Sequence, residues 1–159
     1  MRKSIIMSPE QELARDEHVR QILAECKAEE EQVYQDHMSN PIYGNPAKQL
    51  MRFAKITFKQ YDLKGWKLGF LKYEGIRNGN CNVQTKRITI DFDVLPKFTE
   101  DRLSGLFLHE IAHALCVKED DNKTGKGYDR EPHGKDFRKM CRKINVPKEF
   151  WTATIVMDS

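Results

Sequence analysis

Apolar positions are sparse at the start of the chain. In "SPEQELARDEHVRQILAECKAEEEQVYQDHMSN" they are Leu13, Val19, Ile22, Leu23, Cys26 and Val33, a thin stripe on an otherwise charged segment. Ser8 as N-cap, Pro9 in the first turn and acids behind it predict a charged helix that packs lightly on the body or frays from it. The stretch "PIYGNP", residues 41–46, predicts the loop that ends it. From Asn45 and Pro46 the spacing becomes helical, with Leu50, Phe53, Ala54, Phe58 and Tyr61 on one face of a helix to about Tyr61, and that face is expected in the core. The period then shortens to two. Trp66, Leu68 and Phe70 alternate with polar or small neighbours in "WKLGFLKY", as do Ile88, Ile90 and Phe92 in "TKRITIDFDV", so both predict half-buried strands. Asn78-Gly79 between them predicts an antiparallel hairpin, whose apolar face needs a helix to cover it.

Thr99, followed by Glu100 and Asp101, starts a further helix that runs to about Val117. The polar segment "KEDDNKTGKGYDREP", residues 118–132, predicts a loop, and Phe137, Met140, Cys141 and Ile144 mark a last helix between about 134 and 145. The apolar tail "FWTATIVMD" is expected to dock as a strand or extended segment. The result is an α+β chain with a small antiparallel or mixed sheet packed on helices. Residues 1–45 are expected to be an acidic helical segment and residues 46–159 a single body.

Composition adds three constraints. A chain of 159 residues buries a core without disulfide staples, so size alone does not demand a metal. Cys26, Cys81, Cys116 and Cys141 stand singly, with no C-x-x-C pair. With no secretory or membrane-spanning apolar run, they point to reduced thiols in a cytoplasmic, membrane-free monomer. Charge is unevenly placed, at −4 over residues 1–45 and +7 over residues 46–159. A basic body is compatible with a polyanionic partner such as DNA, and Lys135, Arg138, Lys139 and Arg142 on one side of the last helix are the candidate contacts, against the alternative of a solvated helix face.

The candidate chemistry lies in "LHEIAHAL", residues 108–115. Four residues apart on a helix, His109 and His113 stack on one face, where both imidazoles reach one tetrahedral ion at roughly 2.0–2.1 Å. Glu110 points about a third of a turn away, placed to take a proton from water without occupying a ligand position. The alternative is an ordinary helix whose histidines are satisfied by carboxylates or carbonyls. The other motif positions are apolar, so such histidines would be buried polar groups in need of partners. A catalytic zinc takes three protein ligands and keeps one position open. His18 and His37 lie on the acidic first helix; His133 follows the long loop and precedes a helix, and is the third candidate. The loop also carries Asp120, Asn122, Thr124, Gly125 and Glu131 at positions 1, 3, 5, 6 and 12 of an EF-hand calcium loop. Thr124 is a poor ligand there and Pro132 stands where the exiting helix should run, so a solvated loop is favoured. Tyr128 is a candidate oxyanion donor by its place in the loop alone.

"LHEIAHAL" followed by "HGKDFRKMCRKIN" resembles the SprT-like, or Spartan-type, zinc metalloprotease domain, whose pattern is H-E-x-x-H, a variable loop, then H-G-x-x-F opening a helix. His133, Gly134 and Phe137 match the second element, and Gly79, Cys81 and the run from Ile88 to Phe92 resemble the family's Gly-x-Cys and following strand. The likeness covers roughly residues 46–145. It implies a zincin-like fold, one zinc ion held by His109, His113 and His133, general acid and base work by Glu110, and an edge strand that pairs with an extended substrate peptide. It also implies proteolysis of DNA-associated or DNA-crosslinked proteins, with DNA as partner and a place near the nucleoid. Two alternatives remain open at this point: a zinc-stabilised DNA-binding or adaptor module without catalysis, and a peptidase indifferent to DNA.

Overall fold

The computed structural model describes residues 6–72, 78–123 and 133–152. Two compact units, residues 1–37 and 38–159, divide the chain. Helix α1, Pro9–Ser39, opens with a reciprocal cap: Gln11 N donates to Ser8 Oγ at 3.2 Å and Ser8 N to Gln11 Oε1 at 2.9 Å. No residue of α1 is buried, and the stripe of Leu13, Val19, Ile22, Leu23 and Val33 is exposed along it. Side-chain bonds one turn apart, such as Gln32 Nε2 to Asp36 Oδ1 at 2.8 Å, support this charged helix locally.

Helix α2, Pro41–Gln60, begins where a loop was expected. Asn40, not Asn45, is its N-cap and accepts from Ile42 N at 3.2 Å, with Pro41 in the first turn. Pro46 lies inside the helix, because a proline this near the N-terminus removes a single hydrogen bond, and the cap at Asn40 is the better start. Gly44 is required at the corner, since a Cβ there would overlap the Met38 carbonyl. The buried face of α2 is Ala47, Leu50, Ala54 and Thr57, while Phe53 and Phe58 meet Phe107 edge-on at 5.8 and 5.7 Å. Lys118 Nζ donates to the carbonyls of Tyr61 and Asp62 at 3.2 and 2.8 Å, which holds the end of α2 against the helix that carries the histidines.

The sheet differs from a simple hairpin. Strands β1, Lys67–Leu71, β2, Gly79–Asn82, and β3, Arg87–Asp91, stand in the order β1-β3-β2. β1 and β3, expected as antiparallel partners, run parallel, with Leu68 opposite Ile88 and Phe70 opposite Ile90. Gly79 begins a strand instead of closing a turn, and the hairpin is β2–β3, with Cys81 opposite Ile88. Its turn follows Asn82, whose Oδ1 accepts from Gln84 N and Thr85 N at 3.1 Å each, and Lys86 takes the left-handed conformation with φ 52°. β3 is central, so Ile88, Thr89, Ile90 and Asp91 are all buried, where alternation predicted one wet face. Phe70 and Phe92 pack at 5.7 Å in the core beneath it.

Helix α3, Glu100–Lys123, is capped by Thr99, whose Oγ1 accepts from Arg102 N at 3.3 Å. It runs six residues past Val117, because neither Gly nor Pro interrupts the sequence before Gly125. Asp120 and Asn122 therefore lie within the helix, where the calcium-loop reading expected loop. Thr124, Gly125, Tyr128 and Glu131 lie outside the described residues. Helix α4, Lys135–Lys143, buries Phe137, Met140 and Cys141 and ends at Asn145, which has φ 60°. A 3-10 turn, Lys148–Phe150, follows and takes in the first residue of the apolar tail, of which residues 153–158 lie outside the described residues. Among the described residues, then, the chain is a mixed α+β structure of four helices and a three-stranded mixed sheet. No helix among them is long and apolar enough to cross a membrane.

Candidate metal centre

The histidines occupy the buried middle of α3 and the turn into α4. Leu106, Phe107, Ile111, Ala112 and Ala114 pack α3 into the core and so fix the direction of the polar positions between them. His109 is buried, and His113 and His133 are half-buried. Their Nε2 atoms form a near-equilateral triangle: His113 to His109 3.3 Å, His113 to His133 3.1 Å and His133 to His109 3.3 Å. Three ligand atoms on a tetrahedral ion at 2.0–2.1 Å would stand roughly 3.3–3.4 Å apart. The sides of the triangle thus fit the edge of such a coordination shell.

Donor chemistry agrees with the distances. Burial pushes the His109 imidazole down to about 4; the Phe150 carbonyl works against this and His133 adds to it. Burial, then His109 and His133, push His113 down to about 3, and burial lowers His133 as well. All three rings are accordingly neutral near pH 7, the state in which imidazole ligates a metal. Phe150 O accepts from His109 Nδ1 at 2.5 Å, so the proton sits on Nδ1 and the lone pair of Nε2 faces the other two rings. Three nitrogen lone pairs turned on one point repel unless a proton or a cation lies between them. The three histidines are the group suited to hold a metal ion among the described residues.

Phe137 supports the cluster. Fully buried, it stacks on His113 with ring centroids 4.3 Å apart and meets His109 and His133 at 5.0 Å each. Glu110 is 5% exposed and lies beside the edge strand: a Cβ on Gly79 would sit 3.2 Å from its Oε1. Burial, and then the negative charge of Glu110, raise the Cys81 thiol far above its ordinary range, so Gly79 and Cys81 present one face of β2 to α3.

The basic residues fare differently. Lys135, Arg138, Lys139 and Arg142 are all exposed on α4. Arg138 Nε donates to Gly134 O at 3.4 Å and the Arg142 guanidinium lies 5.4 Å from the Trp151 ring, whereas Lys135 and Lys139 have no ion-pair partner among the described residues. Sequence reasoning passed over a second basic face. The exposed side of α2 carries Lys48, Arg52, Lys55 and Lys59, and the helix contains no acid. Their spacing of three and four residues was the available signal. Phe150 was also missed, because a backbone carbonyl leaves no trace in a sequence.

A buried helix with H-E-x-x-H, closed by a histidine from the next helix's entry and set under a small mixed sheet, defines a metallopeptidase-like α+β domain with a three-histidine centre. The chain belongs to the SprT-like family, whose model matches residues 47–155. No curated protein and no solved structure matches it.

Proposed function

We propose that the protein is a zinc-dependent endopeptidase of zincin-like fold, acting on protein substrates associated with or crosslinked to DNA in the cytoplasm, near the nucleoid. The observation that carries the reading is the triangle of neutral Nε2 atoms with sides of 3.1–3.3 Å, followed in sequence by a buried glutamate. A site of three imidazoles with tetrahedral spacing suits zinc. Bound there, zinc supplies Lewis acidity to a peptide carbonyl and lowers the pKa of water.

The remaining work belongs to the chain. A tetrahedral ion held by His109, His113 and His133 would keep its fourth position for water or substrate. Glu110 takes a proton from the attacking water and returns it to the leaving amine. β2, which pairs with β3 on one side, offers its other edge to an extended peptide, and Gly79 brings that edge against Glu110. The basic faces of α4 and α2 support a nucleic-acid partner by the complementarity of unpaired cations to phosphates.

The test compares zinc-loaded wild type with Glu110→Gln on a DNA-binding protein substrate, with and without single-stranded DNA. Both proteins are expected to hold one zinc, with cleavage in wild type alone and faster when DNA is added. Equal cleavage by the variant would end the assignment of Glu110. Zinc without cleavage under any condition would favour the binding-module reading, and cleavage indifferent to DNA would remove DNA from the function.

A further inference from the structure

The three rings of the centre are held in different ways. His113 lies on Phe137 with ring centroids 4.3 Å apart, whereas His109 is tied through its Nδ1 to a carbonyl 41 residues away in the chain. That carbonyl belongs to Phe150, the last residue of the 3-10 turn after α4. An imidazole whose ring can turn about its bond to Cβ, or whose proton can move to the other nitrogen, presents the wrong atom to a metal. A carbonyl is an acceptor only, so it excludes the Nε2–H tautomer and fixes the ring at once.

The Phe150 ring anchors this carbonyl to α3. The ring is fully buried against α3 at Gly105, one helical turn before His109 and on the same face. A Cβ on Gly105 would come 2.5 Å from Phe150 Cε2 and 2.7 Å from Cδ2, so the ring occupies the space that any other residue would fill. The turn itself is tied back to α4. Phe150 N donates to Pro147 O at 2.9 Å, Trp151 Nε1 to Val146 O at 2.7 Å, and Arg142 lies over the Trp151 ring. Gly at position 105 costs helix stability relative to Ala in the middle of the helix that carries the site. Room for the Phe150 ring accounts for it.

We propose that Gly105 and Phe150 are positioning residues of the metal centre, Gly105 seating the Phe150 ring so that the Phe150 carbonyl locks His109 in the Nδ1–H tautomer with Nε2 directed at the ion. The inference rests on the three-histidine metal reading and assigns the segment after α4 to the site. It makes Arg142 and Trp151 part of what holds that segment.

The test has two readouts, neither of them activity. In metal-free wild type, long-range proton–nitrogen NMR of the imidazoles should show His109 as the Nδ1–H tautomer, with a slowly exchanging, downfield Nδ1 proton. Gly105→Ala should lose that signal and weaken zinc binding by about 10–100-fold. The double variant Gly105→Ala with Phe150→Leu, which trims the ring and keeps the carbonyl, should recover most of the affinity. An Nε2–H tautomer in wild type, or undiminished zinc affinity in a folded Gly105→Ala protein, overturns the proposal. So does equal weakening in single and double variants, which marks a general packing defect. If wild type shows the expected tautomer and binds no zinc, the metal reading fails while the tautomer lock stands, so the two failures are told apart.

Discussion

Gly79 on the edge strand lies close enough to Glu110 on α3 that a side chain at position 79 would press on the carboxylate. A Cβ at position 79 would lie 3.2 Å from Glu110 Oε1, 3.2 Å from Ile90 Cδ1 and 3.3 Å from the Thr89 carbonyl. The Ile90 methyl and the carboxylate can shift by tenths of an ångström, but the Thr89 carbonyl is fixed by the sheet. The strain of a side chain here therefore falls on the Glu110 carboxylate and the Ile90 side chain.

Gly79→Val is expected to move the carboxylate without touching a metal ligand. Displacement of a catalytic group by about 1 Å costs on the order of 10²-fold in rate. The variant should hold zinc as wild type does and lose about that factor in kcat/KM for a peptide substrate, with Gly79→Ala between the two. Wild-type kcat/KM in the valine variant would remove Glu110 from contact with the reacting atoms.

The ligands come from α3 and from the turn before α4, so an ion at the triangle joins segments separated by the residues between His113 and His133. Zinc at a hundred times its Kd should stabilise the protein by about 2.7 kcal/mol, visible as a rise of several degrees in thermal midpoint. A chelator should reverse the rise, and His133→Ala should abolish it. A midpoint indifferent to zinc in wild type would contradict the metal centre.

Much of this site was legible in the sequence because helix periodicity fixes relative direction: with α3 buried, His109 and His113 had to share a face. His133 was legible by elimination, being the remaining histidine at a helix entry. The sheet was less so. Asn78-Gly79 carries a strong turn signal, yet Gly79 is needed in a strand for its lack of a side chain, a demand made by Glu110 some thirty residues later. The same is true of Gly105. Local pattern cannot register a glycine chosen by a distant neighbour, nor can it show a carbonyl acting as a hydrogen-bond acceptor. The parallel pairing of β1 with β3 was hidden for a related reason, since strand direction depends on what the intervening chain does.

The thiols should separate sharply by environment. Cys26 is exposed on α1, whereas Cys116 and Cys141 are buried and Cys81 is half-buried. Burial, with Cys116 adding to it, pushes the Cys141 thiol up to about 12, and Cys81 is raised by burial and Glu110. Thiolate is the species that attacks a disulfide reagent, displacing the reagent's other sulfur as thiolate, so one fast thiol per native chain is expected at pH 8, with all four reacting after denaturation. Rapid modification of one thiol in Cys26→Ser that is lost when Cys81 is also replaced by serine would show that the Glu110 side of β2 is more open than its burial indicates.

The proposed DNA contact can be tested, and assigned to a surface, by its salt dependence. Arg138 and Arg142 on α4 already engage Gly134 and Trp151, which leaves the exposed Lys135 and Lys139, two and six residues beyond His133 in the chain. Each phosphate contact to a single strand contributes about 0.7 to the slope of log K against log salt. Lys135→Ala with Lys139→Ala should therefore flatten the slope by about 1.4 and weaken binding uniformly across sequences. Because the pair lies on the helix that His133 opens, the same variant should lose acceleration by DNA while keeping its basal cleavage rate. The four cations of α2 provide the contrast. If replacing Lys48, Arg52, Lys55 and Lys59 by alanine flattens the slope and the α4 pair does not, DNA lies along α2, and its effect on cleavage must reach the site through the packing of Phe53 and Phe58 on Phe107.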